Sequence, residues 1–406
     1  MPSIYAVHYA EIALKGQNRP EFVRSLRRNL RRVAVGLGDV KVESKDGRFI
    51  LETSADQPLV ESALSKVFGV AWYAKASQVD EDYAEIKEAI LSAARGGTGS
   101  FMIAARRSDK TFPLGSMELA RRLGGDVVAD TGRRVDLSEP AATFHVDVLR
   151  GRALVYSEKR RGLGGLPVGT GGRVMHLFSG GIDSPVAAWL LMKRGCQPIY
   201  VHFFLAPTAE YALDSKVARL VRLLTEYTGR SSLLLIPFTE YQLATVGAPF
   251  DSEPSLFRRF MRVTAEELAL LFRANAVSTG DSLSQAASQT IWNIGVFDSG
   301  SKFPILRPLL GYDKEEIVQL AKRIGTYEPS IEEYRDCCAI ITRHPKTRVK
   351  GALIDTLSDF HDFPSLARRC ISHGTMATYD LRKERPDVTP LNDLVISRRL
   401  RATKTL

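Results

Sequence analysis

What this chain lacks narrows its function before any motif does. Its 406 residues hold four cysteines, Cys196, Cys337, Cys338 and Cys370, and no Cys-x-x-Cys pair. A structural zinc or iron–sulfur centre therefore has no ligand set at the usual spacing. No apolar run approaches the roughly 20 residues that a membrane-spanning helix needs. The opening Met1-Pro2-Ser3-Ile4-Tyr5 has no basic stretch with an apolar core behind it. The expectation is thus a cytoplasmic protein without a signal peptide and without a membrane partner, its cysteines held as thiols rather than disulfides. Acidic residues are also in deficit, 46 against 56 Lys and Arg, for a net charge of +10. That balance suits a polyanionic partner, though net charge alone specifies none.

The most informative segment is Ser179-Gly180-Gly181-Ile182-Asp183-Ser184. It follows Val174-Met175-His176-Leu177-Phe178, which has the length and composition of a strand. It precedes Pro185–Met192, which reads as a helix with Pro in its first turn and Gly195 past its end. A glycine-rich turn between strand and helix aims backbone N–H groups and the positive helix end at one spot, and that spot suits a phosphate. The Gly-Lys-Ser/Thr ending of a Walker loop is missing. In its place stands Asp183, a carboxylate that a phosphate would repel unless it holds a metal ion or moves a proton. The loop resembles the PP-loop of ATP pyrophosphatases, which cleave ATP to AMP and pyrophosphate.

From Arg173 onward strands near 174–178, 198–204, 232–237, 275–279 and 303–307 alternate with helical stretches. Asp313 and Glu316 form a capping box for a further helix, and Gly325 closes it. This rhythm predicts a doubly wound parallel sheet with its ligands at the carboxyl ends of the strands. His202 and Phe203, at the end of the second strand, would face the same crevice and flank an adenine ring, or else pack in the core. Residues 162–172 hold six glycines and read as a linker. The domains expected are 1–75, 76–165, a linker at 166–172, 173–350, and an extension 351–406 of unknown role. In the first, Arg24, Arg28 and Arg31 sit opposite Phe22, Leu26, Leu30 and Val33 on a helical pattern. They form a candidate RNA-binding face, with Arg106 and Arg107 at a strand end as a second.

Three stretches together resemble a family. Ala10-Glu11-Ile12-Ala13-Leu14-Lys15-Gly16 is similar to the opening of tRNA 4-thiouridine synthases, also called tRNA sulfurtransferases. Residues 76–165 resemble a THUMP RNA-binding domain. Gly164-Gly165-Leu166-Pro167-Val168-Gly169-Thr170 leading into the loop, with Arg258–Arg262, Thr279–Leu283, Gln285–Thr290, Arg307–Leu310 and Asp313–Glu315, completes the likeness. The resemblance implies an α/β multidomain chain: a ferredoxin-like α+β domain, a THUMP α/β domain, and a doubly wound PP-loop ATP pyrophosphatase domain. It implies ATP and Mg²⁺ as cofactors and tRNA as partner. It further implies a cysteine desulfurase or other persulfide donor, and a homodimer. By the same resemblance Ser179, Gly180, Gly181, Ile182, Asp183 and Ser184 hold phosphates, with Asp183 on the metal. Arg262, Gly280 and Gln289 contact the nucleotide, Lys314 acts in catalysis, and Cys338 carries sulfur.

The implied reaction adenylates the C4 oxygen of uridine 8, releasing pyrophosphate, and then replaces AMP with persulfide sulfur. Cys370, or the adjacent Cys337, is the candidate for a resolving thiol. A plain buried cysteine is the competing reading of Cys370. The family's rhodanese domain has no counterpart in the roughly 50 residues after 350, which puts a role in thiamine synthesis in doubt. Other readings are a different PP-loop adenylating RNA-modifying enzyme or a non-catalytic tRNA-binding protein. A THUMP methyltransferase would need a methyl-donor glycine motif, and none stands where it is needed.

Overall fold

The computed structural model describes residues 2–205, 208–249, 251–334, 337 and 346–402. They form two compact units, 1–166 and 167–406.

The first unit is built on one sheet. Its strands are β1 (Ser3–Tyr9), β2 (Val40–Lys45), β3 (Arg48–Thr53), β4 (Val70–Val79), β5 (Phe101–Arg107), β6 (Ala142–Leu149), β7 (Arg152–Tyr156) and the short β8 (Arg160–Arg161). The order is β2-β3-β1-β4-β7-β6-β5, with β8 paired to β4. Only β5 and β6 run parallel; the remaining pairs are antiparallel. The helix Arg19–Val33 buries Leu26, Leu30 and Val33 and leaves Arg24, Arg28 and Arg31 exposed. That is the division its apolar spacing predicts. The helix Tyr83–Arg95 begins where the Asp82 side chain accepts from the Ala84 and Glu85 amides, 2.8 and 3.3 Å away. Such a cap satisfies donors that the first turn cannot. Each half of the sheet thus has its own apolar core, one around Phe49 and Leu26, the other around Phe101 and Leu123.

The second unit has β9 (Arg173–Leu177), β10 (Gln197–Phe204), β11 (Arg230–Pro237), β12 (Ala276–Ser278), β13 (Ile305–Leu306), β14 (Thr375–Asp380) and β15 (Asp387–Pro390). Their order is β13-β12-β9-β10-β11-β14-β15. The five strands from β13 to β11 are parallel, as the βα rhythm predicts. The chain winds from β9 through β10 and β11 to one side, then returns to place β12 and β13 on the other. The reversal opens a crevice at the carboxyl ends of β9 and β12, the usual ligand position in such sheets. The helix Asp183–Lys193 follows the loop directly, and the helix Lys314–Arg323 starts with both halves of the Asp313–Glu316 capping box in place.

One expectation needs revision. The reading that set residues beyond 350 apart as an extension cuts through a single sheet and core. Strand β14 pairs antiparallel with β11 over six residue pairs, and β15 pairs with β14. The helices Gly351–Phe360 and Phe363–Ser372 contribute Ile354, Phe363, Leu366, Ala367, Cys370 and Ile371 to the same core as Met175, Val201 and Leu234. The alternation of short helices and polar strands there matched no motif, so only packing reveals their place. Phe363, wholly buried against Tyr241 and Phe260, tests that place. Phe363→Ala should cost roughly 3–5 kcal/mol, the usual toll of emptying a core aromatic site. Urea unfolding followed by circular dichroism reads the loss, and a change below about 1 kcal/mol would mean the C-terminal helices are peripheral.

Candidate active site

The loop after β9 is shaped by backbone, not by side-chain bulk. Gly180 sits at φ +81°, in the left-handed region, and a Cβ there would approach Val217 Cγ2 to 2.9 Å. Only glycine takes that turn without strain and clash. Across the crevice Gly280, just past β12, faces the first turn of the loop helix. A Cβ on it would stand 3.0 Å from the Ser184 nitrogen and 3.1 Å from the Asp183 carbonyl carbon. Gly280 therefore lets the two strand ends approach closely.

His176 fixes the same junction from beneath. It is fully buried; its Nε2–H donates to the Ser184 carbonyl at 2.9 Å, and Nδ1 accepts from the Ser278 hydroxyl at 3.2 Å. One imidazole thus ties β9, β12 and the loop helix together. Burial lowers its pKa to about 4, so it stays neutral near pH 7.

Asp183 stands at the mouth, three-quarters buried. Lys314 Nζ donates to its Oδ1 at 2.9 Å and Gln285 Nε2 to its Oδ2 at 3.0 Å. The capping box that starts its helix also sets the root of the Lys314 side chain. Behind the loop lies a cavity of about 280 Å³. Its walls include Ser179, His202, Phe203, Arg258, Gly280 and Gln289. The Oε1 of Gln289 is buried there with no hydrogen-bond partner among the described residues, so an acceptor is left for an N–H group to meet.

Asp281, on the cavity wall, accepts from Arg258 Nη2 at 2.8 and 2.9 Å, from Thr279 Oγ1 at 2.8 Å and from Arg307 Nε at 3.2 Å. Burial pushes its carboxyl up, but the two guanidinium groups and the hydroxyl outweigh it and hold the group below the usual carboxylate range. The cluster keeps Arg258 stretched along the cavity wall, over the Phe297 ring at 5.0 Å.

The structure brings together Ser179, Gly180, Gly181, Ile182, Asp183, Ser184, Gly280, Gln289, Lys314, His202 and Phe203. Arg262 departs from expectation. Its Nη1 donates to Glu266 at 2.6 Å and its Nη2 to the Ser299 carbonyl at 3.2 Å. Arg258, one turn earlier on the helix Glu253–Phe272, lines the cavity instead. Phe203 lines the cavity and also packs edge-on in the core against Phe257 and Phe260. Arg106 is exposed, but Arg107 is committed to its own loop, donating to the Phe112 and Leu114 carbonyls at 2.7 and 3.2 Å. Gln285, Arg258, Phe297 and His176 complete the site without having been singled out. The first two stand inside family-like stretches; a buried strand histidine and a helix phenylalanine gave no signal of their own.

The cysteines separate clearly. Cys370 is wholly buried in the core, and burial pushes its thiol up to about 12, far from the thiolate a resolving cysteine needs. Cys337 is also buried; its thiol donates to the Phe203 carbonyl, with sulfur and oxygen 3.2 Å apart. Cys338 lies outside the described residues.

His176 generates a pH dependence. With a folded pKa of about 4 against an unfolded value near 6.5, its contribution is complete above pH 6.5. As pH falls from 6.5 toward 4 the unfolded chain takes up a proton that the folded chain refuses. Stability should therefore drop by roughly 3 kcal/mol across that window from this group. Denaturant unfolding at pH 7 and pH 4.5 would show a weaker pH dependence for His176→Gln than for the native protein. Equal slopes would mean that the buried imidazole does not set it.

Comparison with known proteins agrees with this architecture. Residues 4–74 match the ThiI ferredoxin-like domain model, residues 75–158 the THUMP domain model, and residues 169–363 the model described as thiamine biosynthesis protein (ThiI). A probable tRNA sulfurtransferase of a Thermoanaerobacter species is 40% identical over 355 residues, covering 86% of this chain and 93% of its own. Another, of Thermus thermophilus, is 42% identical over 347 residues, covering 84% and 85%. Among solved structures, a 4-thiouridine synthetase crystallised with RNA and bound ATP superposes with a TM-score of 0.84 at 34% identity, over 94% of this chain and all of the other. With three family models matching along its length and relatives at 40% and 42% identity covering most of it, the chain belongs to the tRNA sulfurtransferase (ThiI) family.

Proposed function

We propose that this protein uses ATP to activate the C4 oxygen of uridine 8 in tRNA and then exchanges that oxygen for sulfur, making 4-thiouridine. The observation that carries the reading is the meeting, at one strand-end crevice, of the glycine-rich loop and the Lys314–Asp183 pair, beside a cavity one of whose lining residues, Phe203, accepts a hydrogen bond from the thiol of Cys337, the neighbour of Cys338. That the 34%-identical structure holds both RNA and ATP supports it.

ATP lies with its phosphates on the Ser179–Ser184 amides and the positive end of the helix Asp183–Lys193. The orphaned Gln289 Oε1 suits an amino group of the base. Among the described residues no group of three or more metal-ligating side chains exists. A divalent ion would be held there by Asp183. When bound, it neutralises the charge that develops as pyrophosphate departs. Lys314 supports the same charge, and Gln285 keeps the Asp183 carboxylate aimed at the loop.

The uridine O4 attacks the α-phosphorus, and pyrophosphate leaves with the electron pair. The terminal sulfur of a Cys338 persulfide then attacks C4, and the C4–O bond breaks with AMP as leaving group. This leaves a disulfide between Cys338 and the new 4-thio group. An external thiol attacks the Cys338 sulfur, the 4-thiouridine sulfur departs, and Cys338 ends in a mixed disulfide. Burial of Cys370 and of Cys337 supports assigning that step to an external thiol. A cysteine desulfurase or equivalent persulfide donor reloads Cys338 once it is reduced, and the working form is a homodimer, as the family resemblance implies.

Mass spectrometry of tRNA nucleosides after incubation with ATP, Mg²⁺, a persulfide donor and a thiol tests the assignment. The native protein and Cys370→Ser should form 4-thiouridine. Asp183→Ala should release no pyrophosphate and form none. Cys338→Ser should release pyrophosphate but form none. Product from Cys338→Ser would remove that cysteine from the reaction, and none from the native protein would sink the reading.

The exposed arginine face supports RNA contact by the first unit. Replacing Arg24, Arg28 and Arg31 with Ala should weaken tRNA binding and flatten its salt dependence. Each lost phosphate contact removes about 0.7–0.9 from the log–log slope. Filter binding across a salt series measures both, and an unchanged slope would make the helix a solvated surface only.

A further inference from the structure

The helix Ile291–Asp298 has a buried side and an exposed one. Asn293 and Phe297 are buried, and Phe297 lines the cavity. Ile291 and Trp292, in its first turn, are 68% and 57% exposed, and no step above uses them. The helix begins just after Ser288 and Gln289, which line the same cavity, and shortly after Gln285, which holds Asp183. Trp292 is not bare. The Arg348 guanidinium lies over its ring, 4.1 Å from the centroid. Buried hydrogen bonding sets that contact. Asn293 Nδ2 donates to the Ala287 and Lys346 carbonyls at 2.8 and 3.0 Å, and its Oδ1 accepts from the Val349 amide at 3.1 Å. Thr290 Oγ1 donates to the Thr347 carbonyl at 2.7 Å. These bonds stitch residues 346–349 to the helix start, and the helix start to the turn that carries Gln289. Lys346, Arg348 and Lys350 are all exposed on the stitched segment, with Lys346 paired to Asp251.

We propose that Trp292, backed by Arg348, is a stacking platform for an unpaired tRNA base next to the uridine being modified. The inference rests on the functional reading above and names the protein contact that holds the RNA beside the cavity. An enzyme that does chemistry on a base takes it out of its stack. The neighbouring base then loses a stacking partner, and Trp292 replaces it. An exposed indole suits this, because every base has a π-face and the contact demands no sequence. The guanidinium on the ring adds a cation–π contribution, and the lysines beside it suit the phosphates that flank the base. Gln289 lies only three residues before Trp292, so a base held on the indole leaves the adjoining nucleotide at the cavity. A protein partner fits less well. Two exposed apolar side chains fall well short of the roughly 800 Å² that each partner gives to a stable interface.

Fluorescence reads the contact without turnover. The chain has three tryptophans. Trp189 is buried, and Trp72→Phe removes the other. In that background tRNA should quench the indole emission, and adding Trp292→Phe should abolish the quenching. Kinetics of pyrophosphate release give the second arm. Trp292→Leu should lower kcat/KM for tRNA by about fivefold to a hundredfold, the range for one lost base–aromatic stack. Its KM for ATP should stay within about twofold of the native value. Trp292→Phe, which keeps a ring, should recover most of the loss, a rescue that a purely structural role for the indole would not give. A tRNA made abasic on one side of the target uridine and then on the other identifies the base. With one of the two, the native protein should fall to the level of Trp292→Leu, and the variant should lose little more. Absence of quenching, or full losses that add for both abasic tRNAs, overturns the proposal. So does a Trp292→Leu variant with native tRNA kinetics that needs more persulfide donor to saturate, which would make the surface a protein dock. Failure of the functional reading would appear instead as a native protein that makes no 4-thiouridine, and the quenching arm would still decide whether Trp292 meets an RNA base.

Discussion

The second unit depends on how closely two strand ends can approach. The phosphate loop leaves β9 and the Thr279–Asp281 turn leaves β12, and the two meet where Gly280 presents no side chain to the Asp183–Ser184 backbone. A single Cβ would push them apart by tenths of an ångström, enough to shift the amides of the loop. His176 locks the approach from below by hydrogen-bonding to both sides. The close-packed interior has no slack to absorb a misfit here. The position of the loop and the start of its helix at Asp183 follow from that junction, and the capping box of its own helix brings Lys314 to Asp183.

Around it the electrostatics are arranged in two layers. At the mouth Asp183 is shared between a lysine and an amide, groups that a nucleotide and its counterion can rearrange. Deeper, Asp281 is saturated by Arg258, Arg307 and Thr279 and keeps its charge because two cations outweigh its burial. A saturated buried cluster of this kind specifies geometry more than it adds stability. It fixes Arg258 along the wall, leaving the outer pair free to act.

Much of the second unit was legible in sequence because local chemistry and global fold agree there. Glycines stand where the turn demands positive φ, the capping box starts the Lys314 helix, and apolar runs of strand length alternate with helices. The loop itself, with Asp183 in place of a Walker lysine, announced phosphate chemistry. What sequence could not supply was orientation. Arg258 and Arg262 lie four residues apart on one helix, and only the packing decides which of them reaches the cavity. The two terminal arginines of β5 looked alike, yet Arg107 is spent on its own loop. Cys370 left two readings open, and its complete burial, which pushes the thiol up to about 12, favours the plain buried cysteine. Helices and strands beyond 350 carry no motif, because their signal is complementarity to β11 and to the Phe260 surface rather than any periodicity of their own.

That last arrangement bears on how the molecule is made. Phe363, Leu366, Cys370, Ile371 and Leu391 belong to the same core as Met175 and Val201, and β14 closes the side of β11 opposite β10. During synthesis the first unit has all its strands by residue 161 and can fold as soon as that length clears the ribosome. The nucleotide unit has no such option. Its strand β11 ends at Pro237 and must wait more than a hundred residues for the helices that begin at Gly351 and the strand β14 that begins at Thr375, with apolar surface and one sheet edge bare in the meantime. The nascent chain therefore has a finished first unit long before its second unit can close. Chaperone demand during its synthesis should concentrate in the window between the emergence of β11 and that of residue 391.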